Sequence, residues 1–129
     1  MEREEILKKI ESKYQDLGIP VDTMLEGLLY SKPMVYWDYI QADALLGLQT
    51  QRTTLPDEMI FIMYHQVNEL LFKMILLEIK QVAKSDSLDV EVFTKHLMRI
   101  SRYFDMLSSS FDIMGDGMDK EQYMKFRNT

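Results

Sequence analysis

Apolar residues recur along most of the chain at alternating steps of three and four, the spacing of one face of an α-helix. Two stretches carry this pattern furthest. In residues 57–83 it runs through Ile60, Met63, Val67, Leu70, Met74 and Leu77. In residues 88–114 it runs through Val90, Phe93, Leu97, Ile100, Phe104, Leu107, Phe111 and Met114. With a turn at residues 85–87 between them, the two stretches predict an antiparallel helical hairpin.

Shorter helices are predicted on both sides of this hairpin. The first three cover about residues 2–17, 22–30 and 34–48, and Gly18 is placed to end the first of them. A last helix is expected from Lys120, because Asp119 is a good N-cap and Gln122 follows it at the third helical position. No segment alternates as a strand does, so the fold class is all-α with long central helices. The chain is expected to stop inside the last helix at Thr129, as the N-terminal part of something longer.

Composition and charge narrow the classes of function. The 129 residues include 21 acidic and 15 basic side chains, giving a net charge of -6, which argues against nucleic acid as a partner. The absence of cysteine excludes a disulfide framework and a cysteine nucleophile. The charged N-terminus lacks the apolar core of a signal peptide, and the longest charge-free apolar stretch, residues 59–68, is too short for a membrane span. These features predict a cytoplasmic protein without a membrane partner.

His65 is the first candidate for chemistry, because an imidazole in a broadly apolar helix has to be hydrogen-bonded, ligated or hydrated. Taken alone, it is more often a structural histidine. Phe61 lies one turn earlier on the same face and adds an aromatic plane, a combination suited to a flat ligand with a ring nitrogen. A metal site with Glu69 has little support, since the Glu-x-x-His pairs of a di-iron bundle are absent.

Tyr123 and Arg127 form a second pair, placed four residues apart on one helix face. A planar guanidinium binds a carboxylate through two hydrogen bonds, and a phenol can add a third, so the pair is a candidate carboxylate clamp. The alternative is a solvated face on which Arg127 lies over the tyrosine ring. The spacing does not choose between the two.

Three motifs in fixed order resemble the tryptophan 2,3-dioxygenase family: YWDYI at residues 36–40, DEMIFIMYHQVNELLFK at 57–73 and YMKFR at 123–127. The resemblance implies haem b (heme b) as cofactor, with L-tryptophan and dioxygen converted to N-formyl-L-kynurenine. It also implies a homotetramer whose active sites are shared between subunits. The domain division that follows is an N-terminal helical extension, residues 1–34, and an incomplete haem dioxygenase domain, residues 35–129.

The resemblance also implies a role for each residue of the motifs. His65 is the distal histidine facing the indole nitrogen, and Phe61 packs against the indole ring. Tyr123 and Arg127 hold the substrate carboxylate. Two aromatic residues and a neighbouring aliphatic one reach into another subunit's pocket: Tyr36, Tyr39 and Ile40.

The sequence departs from the family pattern in three ways. Residues 115–117 lengthen the turn before the last helix. Leu71 stands where the family usually has tryptophan. Everything the family places after the arginine is missing, including the proximal histidine that ligates the iron, and nothing around His96 resembles that motif. No metal ligand is therefore expected in this chain, and the 129 residues alone are expected to be inactive. The alternative function is a non-catalytic helical module for oligomerisation.

Overall fold

The structure is a computed structural model that describes residues 1–85 and 89–129. Within these ranges there are helices and no strands, which confirms the all-α prediction. The helices are α1 (Arg3–Gln15), α2 (Val21–Tyr30), α3 (Tyr36–Tyr39), α4 (Ala42–Leu46), α5 (Pro56–Lys84), α6 (Val90–Gly115) and α7 (Lys120–Arg127). They fall into two compact units, residues 1–46 and 47–129.

The first unit contains α1 to α4. Gly18 adopts a left-handed conformation, with φ at 66°, just after α1, as expected of a glycine that ends a helix. The single helix predicted over residues 34–48 is wrong, because Gln41 also adopts a left-handed φ, 52°, and separates α3 from α4. Across this break the indole Nε1 of Trp37 donates a hydrogen bond of 2.8 Å to the carboxylate of Asp43.

The second unit is built on the hairpin of α5 and α6. Asn68 of α5 contacts Ser110 of α6, whereas Glu78, farther along α5, contacts His96 and Tyr103, earlier on α6. The helices are therefore antiparallel, as predicted. Their ends agree closely with the sequence pattern, although residues 86 and 87 of the expected turn, and residue 88 where the second helix was expected to begin, lie outside the described residues.

The side chains between the two helices agree with the predicted seam on α6 at Ile100, Leu107 and Met114, and differ from it on α5. On α5 the inward residues are Tyr64, Asn68, Leu71, Ile75, Glu78 and Val82, and on α6 they are His96, Ile100, Tyr103, Leu107, Ser110 and Met114. The stripe predicted on α5 faces outward, with Ile60, Val67, Leu70, Met74 and Leu77 exposed by 40–49%. Both faces of α5 are apolar, so periodicity could not choose between them. The inward face includes Asn68 and Glu78, which hydrogen-bond to α6.

By length and composition α5 is apolar enough to cross a membrane, contrary to the estimate from its charge-free stretch. Length and composition alone are weak evidence, since the core helix of a soluble protein has the same features. In this chain α5 packs against both α6 and α7 and carries the ionisable Glu78 on its inward face.

The last helix, α7, begins as predicted and ends earlier than predicted. Asp119 is its N-cap, and the Asp119 side chain accepts a 2.8 Å hydrogen bond from the backbone N–H of Gln122. The helix ends at Arg127. Asn128 then donates from its side chain to the carbonyl of Met124, at 2.8 Å. The last turn is therefore capped, where the sequence predicted a chain that stops inside an uncapped helix.

Candidate functional site

Phe61 and His65 lie one turn apart on α5, and their rings contact each other. The ring centroids are 4.1 Å apart and the ring planes are inclined by 40°. Phe61 is partly buried, and His65 is exposed. The pair therefore presents an aromatic plane beside an imidazole that solvent or a ligand can reach.

The backbone of α5 holds the neutral imidazole of His65 in one tautomer. Its Nδ1 lies 2.8 Å from the carbonyl oxygen of Phe61, and because a carbonyl can only accept, Nδ1 carries the proton. Nε2 of the neutral ring is then a hydrogen-bond acceptor. No residue in the described ranges donates to Nε2, so this nitrogen is available to a donor from outside the chain.

Tyr123 and Arg127 lie on one face of α7, as their spacing predicts. The guanidinium carbon of Arg127 is 5.8 Å from the centroid of the Tyr123 ring, close enough for a cation–π contact. Among the residues that the structure describes, no carboxylate forms an ion pair with Arg127. The contact matches the solvated-face alternative, while the unpaired guanidinium keeps the capacity that a carboxylate clamp needs.

The two predicted pairs come together where α7 packs on α5. The rings of Phe61 and Tyr123 have centroids 6.0 Å apart. Phe126, which the sequence analysis missed, completes the contact, with centroids 5.4 Å from Phe61 and 5.6 Å from Tyr123. We call the following residues the aromatic cluster: Phe61, Tyr64, His65, Tyr123 and Phe126.

The buried members of the aromatic cluster are Tyr64 and Phe126. The ring of Tyr64 meets that of His65 edge-on, with centroids 5.2 Å apart. Phe126 follows Tyr123 by three residues, and residues at this spacing share one face of a helix. An aromatic residue at that spacing was the signal in the sequence for the packing partner of Phe61.

The loop that precedes α5 is held by Glu58. The buried carboxylate of Glu58 accepts hydrogen bonds from the backbone N–H groups of Arg52 and Thr53, both at 2.8 Å, and from the hydroxyl of Thr53. The hydroxyl of Thr53, and after it the N–H of Arg52, lower the pKa of Glu58 below its ordinary value. An ionised Glu58 thus stabilises the loop at the start of the helix that carries Phe61 and His65.

A surface cleft of about 540 Å³ lies between the end of α6 and the start of α7. Tyr123 lines this cleft together with Phe111, Met118 and Lys120, so one tyrosine contacts both the cleft and the aromatic cluster. Phe61, His65 and Arg127 are not among the residues lining the cleft.

Three of the predicted site residues belong to the first unit. Tyr36 and Tyr39 lie on the short helix α3, and Ile40 follows it directly. All three side chains are exposed. The structure therefore presents them as an exposed group on residues 36–40 of the first unit, whereas the aromatic cluster belongs to the second unit.

Comparison with known proteins bears on both groups of residues. The sequence profile of the family described as Tryptophan 2,3-dioxygenase matches residues 26–129. The chain belongs to the tryptophan 2,3-dioxygenase family. The matched range includes both the group at residues 36–40 and the whole aromatic cluster.

Several proteins named tryptophan 2,3-dioxygenase are similar to this chain. The protein of Ruegeria pomeroyi is 37% identical over 102 residues, which are 77% of this chain and 36% of the relative. The protein of Bradyrhizobium diazoefficiens is 34% identical over 100 residues, 77% of this chain and 36% of the relative. The protein of Bacillus thuringiensis is 31% identical over 124 residues, 95% of this chain and 42% of the relative. The chain thus spans about two-fifths of the length of these dioxygenases.

No solved structure gives a significant match to this chain. The structure shows the surroundings of Leu71, the position where the resemblance to the family led us to expect a tryptophan. Leu71 is buried in the hairpin with Ile75 and Leu107, where a branched aliphatic side chain fills the seam. The exchange from tryptophan is therefore accommodated within the helix pair.

The two histidines of this tryptophan 2,3-dioxygenase family member have opposite surroundings. Within residues 1–85 and 89–129, no three His, Cys, Asp or Glu side chains come together as a metal site. His96 is buried between α5 and α6, and its Nδ1 lies 2.5 Å from the carboxylate of Glu78. His65, in contrast, offers an exposed ring nitrogen next to an aromatic plane.

Proposed function

We propose that this chain forms the substrate-binding, distal side of a haem-dependent tryptophan 2,3-dioxygenase that converts L-tryptophan and dioxygen to N-formyl-L-kynurenine. The observation that carries the proposal is the contact between Phe61 of the Phe61–His65 pair and Tyr123 of the Tyr123–Arg127 pair, across α5 and α7. One pair suits an indole and the other a carboxylate. The family relation supports the proposed reaction, and the contact between the two pairs supports their proposed role in binding the substrate.

Phe61 and His65 bind the indole part of the substrate in this proposal. The partly buried ring of Phe61 provides an apolar plane against which an indole can pack. Nε2 of His65 is an acceptor because Nδ1 donates to the backbone, and the indole N–H is a donor only. The tautomer fixed by α5 is thus the one that a hydrogen bond from the indole nitrogen requires.

Tyr123 and Arg127 bind the carboxylate of the amino acid. The guanidinium has no acidic partner among the described residues, so a substrate carboxylate displaces no internal ion pair. Its fork of N–H donors matches the two carboxylate oxygens, and the hydroxyl of Tyr123 adds one more donor. Exclusion of water by further parts of the pocket would strengthen this charged contact.

The residues present fit one face of a haem. An exposed imidazole beside the ring of Phe61 is suited to line one side of the cofactor, and Phe61 and His65 would hold it there. Bound haem supplies the activation of dioxygen, and this chain's residues orient the indole and exclude water. His96 is not proposed as an iron ligand, since its ring is buried against Glu78. We propose that the residue that would ligate the iron is not among these 129 residues and that the chain alone is inactive.

The proposal also includes the neighbouring subunits, the classes of macromolecular partner and the cellular compartment. Tyr36, Tyr39 and Ile40 would complete the pocket of a neighbouring subunit in a homotetramer, which requires exposed side chains, and all three are exposed. The net charge of -6 and the family relation support a cytoplasmic enzyme without nucleic-acid or membrane partners. The compared relatives are named dioxygenases, so a separate oligomerisation module gains no support.

Replacing Arg127 by alanine tests the proposal. In the haem-supplemented chain, Arg127→Ala should weaken L-tryptophan binding by about 2 kcal/mol or more, roughly thirtyfold, because a charge-paired anchor is lost. The measurement is the dissociation constant from calorimetry or from the shift of the haem absorption band. Arg102→Ala, which removes an exposed arginine of α6, is the matched control and should leave binding unchanged. Equal affinities in the wild type and Arg127→Ala would remove the carboxylate clamp from the proposal.

A further inference from the structure

The first turns of α5 and α7 are joined by a closed ring of hydrogen bonds. The carboxylate of Asp57 accepts from the backbone N–H of Asp119 at 2.7 Å. The carboxylate of Asp119 accepts from the backbone N–H of Gln122 at 2.8 Å. The side-chain carbonyl of Gln122 in turn accepts from the backbone N–H of Asp57 at 3.2 Å. Three residues thus tie the start of one helix to the start of the other; we call them the docking ring.

The docking ring lies one turn before the candidate site on both helices. Phe61 follows Asp57 by four residues, and Tyr123 follows Asp119 by four residues. Asp57 and Phe61, four apart within α5, share a helix face. Asp119 is the N-cap of α7, and its hydrogen bonds to Asp57 and Gln122 hold the first turn of the helix that carries Tyr123. The ring contact at 6.0 Å between Phe61 and Tyr123 is the next contact along the helices.

This placement allows the docking ring to fix the register between the two helices, that is, which residues of α7 lie beside which residues of α5. Sliding α7 by one residue relative to α5 would turn its side chains by about 100° and move them by about 1.5 Å. Tyr123 and Arg127 would then leave the face of Phe61. Aromatic packing alone does not prevent such a slip, because rings tolerate many offsets. The two hydrogen bonds that cross from α5 to α7 are directional and allow one register.

We propose that Asp57, with Gln122 as its partner, is a positioning residue that aligns the carboxylate-binding pair of α7 with the indole-binding pair of α5. The inference rests on the proposed function for the identity of the ligand, and on the geometry of the docking ring for the register. Asp57 does not touch the ligand. Its effect on binding passes through the position of Tyr123 and Arg127.

The test compares three single variants of the 129-residue chain. Asp57→Ala removes the acceptor, Asp57→Asn keeps an oxygen acceptor of the same shape, and Asp89→Ala is the matched control. Asp89 is the N-cap of α6 and accepts from the N–H of Glu91 within its own helix, so Asp89→Ala removes a hydrogen bond at a helix start without removing a contact between α5 and α7.

The first readout is hydrogen exchange at the backbone amides of residues 123–127. Asp57→Ala should speed their exchange about tenfold, the scale of losing a hydrogen bond to a charged group. Asp57→Asn should stay within about threefold of the wild type, because the acceptor is retained. In Asp89→Ala the exchange of α7 should be unchanged. Unchanged exchange in Asp57→Ala would overturn the register role, whatever the ligand.

The second readout compares two ligands of the haem-supplemented chain: L-tryptophan and tryptamine, which lacks the carboxylate. Asp57→Ala should weaken L-tryptophan about tenfold and tryptamine less than about twofold, because only the carboxylate contact depends on α7. The double variant Asp57→Ala, Gln122→Ala should lose more than Asp57→Ala, because in the single variant the backbone N–H of residue 57 still donates to Gln122. Equal losses for both ligands would make Asp57 a structural residue and overturn the proposal.

The two readouts separate the failure of this inference from the failure of the proposed function. A wild-type chain that binds neither ligand contradicts the proposed function for these 129 residues, and the exchange measurement then decides the register role alone. Faster exchange of α7 in Asp57→Ala, with recovery in Asp57→Asn, would support it.

Discussion

The two ends of the long hairpin each carry a histidine, and the structure uses them in opposite ways. At the start of α5, His65 is exposed, its ring lies against Phe61, and its hydrogen bond is to its own helix. Toward the far end, His96 is 9% exposed and its Nδ1 donates to Glu78, itself 7% exposed. One end is held by ring packing and the other by a buried polar contact.

The difference shows how surroundings decide what a histidine does. Glu78 also accepts from the hydroxyl of Tyr103 and lies 3.5 Å from a guanidinium nitrogen of Arg99, so the oxygens of its carboxylate have protein partners. The His96 hydrogen bond, opposed by burial, lowers the pKa of Glu78 below its ordinary value. Among the described residues no carboxylate pairs with His65, and its Nδ1 donates to the carbonyl of Phe61. The two histidines thus differ in their partners: the imidazole of His96 is buried against a carboxylate, and that of His65 is exposed and hydrogen-bonded to its own helix.

Phe126→Ala should have the largest effect on the aromatic end. Phe126 is buried against both Phe61 and Tyr123, so its removal should destabilise the docking of α7 by about 3 kcal/mol. Hydrogen exchange of the α7 amides measures this as roughly a hundredfold acceleration. Phe126→Leu, which keeps most of the apolar volume, is the control and should lose less than half as much. A small loss in Phe126→Ala would mean that ring packing does not hold this end.

His96→Ala should have the next largest effect, at the polar end. It leaves the carboxylate of Glu78 buried without its closest donor, at a cost of about 2 kcal/mol in the free energy of unfolding. Urea denaturation followed by circular dichroism measures the change. Leu97→Ala, one position away on the exposed side of α6, is the control for loss of a side chain and should cost less. An unchanged urea midpoint in His96→Ala would remove the contrast between the two histidines.

The pH dependence of stability sharpens the contrast further. Because the pKa of Glu78 is lowered in the folded chain, its contribution is complete above its ordinary value of 4.5 and is lost as the pH falls through the lowered pKa. We expect the unfolding free energy of the wild type to fall more steeply below pH 4.5 than that of Glu78→Gln. The pKa of Glu58 is also lowered in the folded chain. Glu58→Gln should therefore remove the contribution of Glu58 to the pH dependence of stability and leave that of Glu78 unchanged. Identical slopes in wild type and Glu78→Gln would contradict an ionised buried Glu78.

His65→Ala should have the smallest effect on stability. The ring is exposed and its hydrogen bond is to the carbonyl of Phe61 within the same helix, so the unfolding free energy should change by less than about 0.5 kcal/mol. The response of the haem-supplemented chain to L-tryptophan should weaken all the same. The two measurements together separate the ligand role from a structural one: marked destabilisation would restore the structural-histidine reading.

The positions of the helices could be predicted from the sequence. The faces on which α5 and α6 pack against each other were harder to predict. The caps at Asp119 and the start of α5 at Pro56 follow from local rules that need no tertiary contact. The interface between α5 and α6 could not be predicted by local rules, because ranking the faces of α5 by hydrophobicity favours a face without Asn68 and Glu78. These two polar residues face inward because Ser110 and His96 on the other helix hydrogen-bond to them. That pairing exists only in three dimensions.

The candidate site likewise has a part that local sequence rules predict and a part that depends on tertiary contacts. The spacings 61–65 and 123–127 predicted two local pairs, since four residues bring side chains to one helix face. Their meeting across α5 and α7 depends on Phe126 and on the docking ring, which join residues more than sixty positions apart in the chain. The break at Gln41 was also beyond the sequence, because a left-handed glutamine has no distinctive local pattern.

The shallow burial of the described side chains has a calorimetric consequence. None of the large side chains within residues 1–85 and 89–129 is less than 2% exposed. The slope of unfolding free energy against urea and the heat-capacity change of unfolding both scale with the surface that unfolding newly exposes. We therefore expect a urea transition that is broader, and a stability curve that is flatter with temperature, than those of a fully packed domain of the same length.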